Sequence, residues 1–365
     1  MAKTTEEIVE ELVAPRSEPK TPLKDGDLLS SGCTLLNLAL SDRAKGAFYK
    51  GKYYHLVGDS DAGKTVGLMT AMAEASISKR FKDYQLIHDN PEDGQMMDVE
   101  RYWGPRLAKR LRAPRYVKGE AVMSQTMEEF WYNLDDAMNA GPVVYALDSL
   151  DALSSEADGD KFQKRKKARN SGKAETGTFG TAKAKVNAGA MREVFNKLKK
   201  TGSILFIVSQ ARMAIGNPFE TKTFAGGTAL KFFCRGQVWY SVGKTVTKKV
   251  GSKTRQLGIV SLIRVKKNHQ TGRRHTVKVP IFWATGIDDT GSCVDWLIEE
   301  GHWRRSKGGI DTRGNVPEVL NREELIKYIE TNNMTKQLQS VVETAWSEIK
   351  KACTPERVNK YGGGK

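Results

Sequence analysis

The stretch VGDSDAGKT, residues 57–65, follows the apolar run YYHLVG (53–58) and precedes VGLMTAMAEA (66–75), which has the composition of a helix. Gly58, Gly63, Lys64 and Thr65 satisfy the pattern G-x-x-x-x-G-K-[ST]. Glycines let such a turn wrap an anion, with backbone N–H groups pointing inward at the positive end of the next helix. The spacing therefore assigns Gly58, Asp59, Ser60, Asp61, Ala62, Gly63, Lys64, Thr65 and Val66 to a nucleotide-phosphate cradle. In it the lysine reaches the β- and γ-phosphates and the Thr65 hydroxyl ligates Mg2+.

Outward from this turn, short apolar runs alternate with helical patterns. The strands expected are YYHLVG (53–58), YQLIHD (84–89), VVYALD (143–148) and SILFIVS (203–209). Helices are expected around 65–80, 98–111, 124–140 and 184–200. Near-continuous apolar strands alternating with helices predict an α/β fold with a mostly parallel sheet covered on both faces. Beyond residue 235, QVWYSVGK, GIVSLIRVKK and HTVKVPIFWA predict antiparallel strands extending that sheet. Three regions follow: 1–27, an amphipathic helix over 4–13 with a Pro- and charge-rich linker; 28–294, the nucleotide-binding core; and 295–365, a small, mainly helical C-terminal lobe ending in a Gly-rich tail.

A phosphate turn of this kind needs a carboxylate at a second strand end to hold the magnesium shell, and VVYALDSLDAL supplies Asp148. Hydrolysis needs another to orient or deprotonate water. LIHDNPEDG ends the neighbouring strand with Asp89, Glu92 and Asp93. Glu92 is the choice for the base, with Asp93 the other candidate and a solvated turn acid the plain alternative.

The net charge is +16, from 59 basic against 43 acidic residues, which favours polyanionic partners. No stretch is apolar enough to span a membrane, the N-terminus lacks a secretory h-region, and four scattered cysteines fit a reducing cytoplasm. After Asp160, Lys161, Lys164, Arg165, Lys166, Lys167, Arg169 and Lys173 fall together without an acid among them. Phe162 and Phe179 interleave this charge, and Gly172, Gly177 and Gly180 are expected to make the segment disordered without a ligand. Such a run suits backbone tracking with stacking on bases, or is a solvated basic insert. Lys244, Lys248, Lys249, Lys253, Arg255, Arg273 and Arg274 lie on hairpin turns, either guiding a duplex or carrying plain surface charge.

SQARMAIGNPFETKTFAGGTALKFF (209–233), SSGCTLLNLALSD (30–42) and VKKNHQTGRRHTVKVPIFWATGIDD (265–289) together resemble the RecA-like recombinases, in their phage-encoded branch. The resemblance covers about residues 28–300. It implies an ATP- and Mg2+-dependent DNA recombinase that forms a helical filament on single-stranded DNA, searches duplex DNA and exchanges strands in recombination and repair. The setting it implies is a bacterial cytoplasm or nucleoid, with single-strand-binding and mediator proteins as partners. By the same resemblance, Gln210 senses the γ-phosphate and couples it to a second DNA loop running from Arg212 to about Ala229. Gly226 and Gly227 close that loop, and its apolar Met213, Ile215 and Phe219, beside few charges, suit insertion between bases of a stretched strand. The segment between Asp148 and the helix near 184 is the first DNA loop. Lys267 and His269 reach the neighbouring subunit's ATP, His269 standing where the family has a second lysine. Tyr102 stacks on adenine, and the helix over 4–13 contacts a neighbouring protomer. A ring-forming helicase of the same fold and an ATP-binding mediator are the alternatives.

Overall fold

Side chains alternating along 53–57, 143–147 and 204–208 build the centre of the molecule. Tyr53, Tyr145, Leu205 and Ile207 enter one apolar cluster, whereas Tyr54, Val144, Ala146, Phe206 and Val208 enter another on the opposite face. Successive strand residues point to opposite faces, so both faces of this sheet are buried.

The computed structural model describes residues 25–92, 97–170, 182–213, 222–316 and 319–356. The helix expected over 4–13 lies outside them, as do Asp93, Lys173, Phe179, Ile215 and Phe219. The strands of the main sheet are β1 (Lys52–Gly58), β2 (Gln85–Asp89), β3 (Leu111–Arg112), β4 (Val143–Leu147), β5 (Ile204–Met213), β6 (Lys222–Phe224), β7 (Gly236–Val250), β8 (Lys253–Asn268), β9 (Thr276–Phe282) and β10 (Gly286–Ile287). Among the described residues they form one ten-stranded sheet in the order β10-β9-β8-β7-β1-β5-β4-β2-β3, with β6 paired to β5. Strands β7, β1, β5, β4, β2 and β3 pair in parallel, and β8, β9 and β10 continue the sheet antiparallel. The mostly parallel core with an antiparallel extension agrees with the expectation from sequence.

The helices are α1 (Thr34–Ser41), α2 (Lys64–Ile77), α3 (Val99–Trp103), α4 (Pro105–Arg110), α5 (Met127–Ala140), α6 (Glu156–Asn170), α7 (Ala182–Thr201), α8 (Thr228–Phe233), α9 (Asp289–Glu299), α10 (Arg322–Thr331) and α11 (Thr335–Ala352). Three differ from expectation. The single helix over 98–111 is broken at Gly104, whose φ of 85° and the following Pro105 end α3 and start α4. Helix α9 spans the 294/295 boundary, and Leu325, Leu338, Val342 and Trp346 of the C-terminal helices join the same apolar cluster as the core. The third is the basic segment, which forms α6 where disorder was expected. Residues 156–170 contain no proline or β-branched residue. Glu156 and Asp158 begin the helix and Lys167 and Arg169 end it, which suits the helix dipole. No helix among the described residues is long and apolar enough to cross a membrane.

Beneath the sheet, fully buried His55 on β1 bonds Ser209 Oγ at 2.9 Å and Gln237 Nε2 at 3.3 Å. Burial pushes its pKa down to about 3, so the imidazole is neutral in the folded protein. The unfolded chain takes up a proton there near pH 6.5 and the folded one does not. Stability should therefore fall as the pH drops from about 6.5 towards 3, by up to ~1.4 kcal/mol per pH unit from this group. Urea unfolding across that range should show a flatter dependence for His55→Gln than for the parent.

Candidate nucleotide site and nucleic-acid interface

Gly63 precedes α2 with φ 92°, a left-handed conformation that turns the chain from β1 into the helix. A Cβ there would stand 2.3 Å from Ile281 Cδ1 on β9. The turn thus places Lys64 at the first position of α2, largely buried. Its ammonium donates to Gly58 O at 3.1 Å and Asp59 O at 2.5 Å. Burial lowers the pKa of Lys64, while Asp148, Asp59, Glu92 and Asp151 act in the opposite direction. Ser60 and Asp61 are exposed, Ala62 is buried, and Thr65 and Val66 are half-buried in the first turn of α2.

The parallel register brings the other candidates to the same edge. Gln210 pairs with Gly58, and Asp148 N donates to Asp89 O at 2.8 Å. Asp148 is buried, and its Oδ2 lies 3.6 Å from His88 Nε2 with no hydrogen-bond partner among the described residues. That oxygen, the Thr65 hydroxyl and the turn at Gly63 fit a magnesium nucleotide. Exposed Glu92 follows β2, and Gln210 Nε2 donates to its Oε1 at 3.5 Å. Lys64, Asp148 and Glu92 therefore meet outside the carboxyl ends of β1, β4 and β2, beside Gln210 on β5, where open parallel sheets bind ligands.

Three further carboxylates orient the site through bonds that the sequence reading did not assign to them. Asp89 is buried and accepts from Ser124 N, Ser124 Oγ and Tyr145 Oη at 2.9, 2.5 and 2.8 Å, so it anchors the strand end that leads to Glu92. Burial pushes its pKa up, against those bonds. Asp151 accepts from Gln210 N and from Arg212 Nη2, both at 2.7 Å. Asp59 accepts from Lys222 Nζ at 2.7 and 2.8 Å. Asp89 and Asp59 were named from sequence for other reasons, whereas Asp151 carried only the signal of a second carboxylate three residues after Asp148.

Lys267 and His269 do not join this cluster. Lys267 Nζ donates to Lys231 O and Phe232 O, satisfying the last carbonyls of α8. Both line an open cleft of about 1020 Å³ that also includes Lys222, Lys231, Trp239 and Arg264. Slight burial and the neighbouring Lys267 and Arg235 lower the pKa of His269. Tyr102 is half-buried on α3, which leans on α2 through Trp103 Nε1 donating to Thr70 Oγ1 at 3.2 Å.

Of the basic run, Lys161 is half-buried on α6, and Lys164, Arg165, Lys166, Lys167 and Arg169 are exposed. Phe162 on the same helix is 66% exposed. β5 runs past the expected strand end at Ser209 to Met213, carrying Arg212 and Met213 outward to the second loop. The return ends at Gly226 and Gly227, whose φ values are 98° and 90°. A Cβ on Gly226 would meet Leu150, and one on Gly227 would meet Ala184 of α7.

The family described as the RecA N-terminal domain matches residues 165–288. The chain is 25% identical over 311 residues to Protein RecA of Thermosynechococcus vestitus, covering 84% of this chain and 77% of that protein. It is 24% identical over 332 residues to Protein RecA of Prochlorococcus marinus strain MIT 9515, covering 88% and 79%. Protein RecA of Lactococcus lactis subsp. cremoris strain MG1363 is 24% identical over 283 residues, and the chain spans 65% of its length.

The strained position at the head of α2 offers a direct check. Gly63→Ala should cost about 1–3 kcal/mol in urea unfolding, because it meets both a left-handed backbone and Ile281. Adding Ile281→Val removes the contact but not the backbone term, so it should recover only part of the loss.

Proposed function

We propose that this chain, a member of the RecA-like recombinase family, is a DNA-dependent ATPase that forms a helical filament on single-stranded DNA and promotes homologous pairing and strand exchange. The observation that carries the reading is the position of Gln210. Its side chain approaches Glu92 beside Lys64, and two residues later its strand delivers Arg212 to the second loop. One residue thereby couples a phosphate site to a nucleic-acid loop.

ATP would be held by the turn from Gly58 to Val66, with Tyr102 against the base and Mg2+ on Thr65 and Asp148. A bound magnesium ion neutralises charge on the β- and γ-phosphates. Lys64 adds positive charge to the same oxygens. Glu92 orients and deprotonates the attacking water, and Gln210 reports the γ-phosphate to the loop. Lys267 and His269 face the nucleotide of an adjacent protomer. Contacts to DNA come from the α6 cations, from Arg212, Met213, Ile215 and Phe219, and from the backbone at Gly226 and Gly227. Phosphate contacts and stacking suffice, because base pairing itself reads the sequence. The α6 cations also favour this reading over a nucleotide switch without nucleic acid. The same reading gives a bacterial cytoplasmic setting, with single-strand-binding and mediator proteins as further partners.

Electron microscopy of the full chain with single-stranded DNA, Mg2+ and a non-hydrolysable ATP analogue should show regular helical filaments. Closed rings would indicate the helicase. Lys64→Ala should abolish the regular coating, and coating at the parent's level would end the proposal. Glu92→Gln should lower DNA-stimulated ATPase by at least about 100-fold with analogue binding retained. A parent without DNA-stimulated hydrolysis would indicate the mediator. Replacing Lys164, Arg165, Lys166 and Lys167 together by Gln should flatten the log K against log salt slope by up to ~3.

A further inference from the structure

The second loop leaves the fold on β5 and returns on β6, and a carboxylate from the nucleotide-binding elements ties down each stalk. On the outgoing stalk, Asp151 holds the Gln210 N–H and the Arg212 guanidinium, both at 2.7 Å. Its side chain is 8% exposed, whereas that of Arg212 is 57% exposed. On the returning stalk, Lys222 Nζ bonds both oxygens of Asp59 at 2.7 and 2.8 Å. The two stalks form one ribbon, since β6 pairs with β5 through Lys222 opposite Met213 and Thr223 opposite Arg212, a register that puts the two cations on its opposite faces. Both carboxylates also act on the charge of Lys64.

These bonds meet competing demands. A nucleic-acid phosphate and a carboxylate offer a guanidinium or ammonium the same charge-assisted bond. While Asp151 and Asp59 hold Arg212 and Lys222, a DNA phosphate must displace a carboxylate before it gains a contact. Gln210 is shared in another way, because Asp151 holds its backbone N–H while its side chain points at the phosphate site.

We propose that Asp151 and Asp59 are positioning residues that hold the second loop against the nucleotide site, so that Arg212 and Lys222 engage DNA phosphates only after nucleotide has drawn Gln210 from Asp151. The inference rests on the reading of Gln210 and the second loop given above. It makes the two carboxylates the source of nucleotide dependence in DNA binding. A ligand shifts such an equilibrium only through its unequal affinity for the two states, and the γ-phosphate contact of Gln210 supplies that inequality.

The test is fluorescence anisotropy of a labelled single-stranded oligonucleotide with the full chain, with and without Mg2+ and a non-hydrolysable ATP analogue. Asp151→Asn and Asp59→Asn should each raise nucleotide-free affinity about three- to fivefold, and together about tenfold, as expected for partly exposed ion pairs. The ratio of affinities with and without analogue should shrink accordingly. Each released cation should steepen the nucleotide-free salt slope by ~0.7. A merely structural role would instead lower affinity in both conditions. Should Asp151→Asn fail to fold by circular dichroism, Asp59→Asn carries the same test from a carboxylate that is 38% exposed. Nucleotide-free affinities at or below the parent's, with a parent that binds DNA in the analogue, would overturn the inference alone. A parent that fails to bind DNA even with the analogue would overturn the underlying reading as well.

Discussion

The arrangement depends on one buried ammonium. Lys64 sits at the start of α2, drawn inward by the turn at Gly63 and surrounded by Asp148, Asp59, Glu92 and Asp151. A buried cation must be paired or hydrogen-bonded, or it loses its charge. Here the chain provides the Gly58 and Asp59 carbonyls and a ring of carboxylates. Those groups come from the ends of β1, β2 and β4, so the demand of one charge coordinates three strands and the segments that follow them.

That coordination extends to the exit of β5 because β5 lies between β1 and β4 in the sheet. Gln210 pairs with Gly58 across the ladder, and the turn after β4 places Asp151 against its backbone. A displacement at the phosphate turn cannot leave the exit of β5 untouched, since close-packed interiors transmit strain. The glycine pair at 226 and 227 adds a second mechanical link. Its lack of side chains lets Leu150, two residues after Asp148, and Ala184 of α7 approach within contact.

How legible this was in the sequence follows from the separation between partners. The phosphate turn and the alternating strands are local patterns, and their spacing alone places Lys64, Thr65 and Asp148. The groups that orient them are distant in the chain: Ser124 lies 35 residues from Asp89, Asp151 59 from Gln210, and Asp59 163 from Lys222. No local pattern encodes such pairs. The basic segment was misread for another reason. Its charge and the glycines beyond residue 170 suggested disorder, but within 156–170 helix propensity and dipole complementarity act together and outweigh repulsion between exposed cations. The break at Gly104 and Pro105 was written in the sequence and needed only to be weighed against the surrounding helical residues.

On the proposed reading, the ends of β7 explain why one copy of the chain is not enough. Tyr240 pairs with Gly58 at the phosphate end, whereas Gly236 pairs with Asn268 at the other, four residues or about 13 Å away. Lys267 and His269 stand at that second end, and Lys267 is held by the carbonyls of α8. A strand is too stiff to fold these side chains back onto the phosphates of its own chain. A second copy stacked in the same orientation brings one protomer's far end against the next one's phosphate end. Such an interface joins two different surfaces, so each added copy leaves a free surface of the same kind, and the assembly grows as a ring or a helix. On this reading Lys267 and His269 serve the nucleotide of the next copy, and the nucleotide at each junction makes the assembly sensitive to the state of the phosphate.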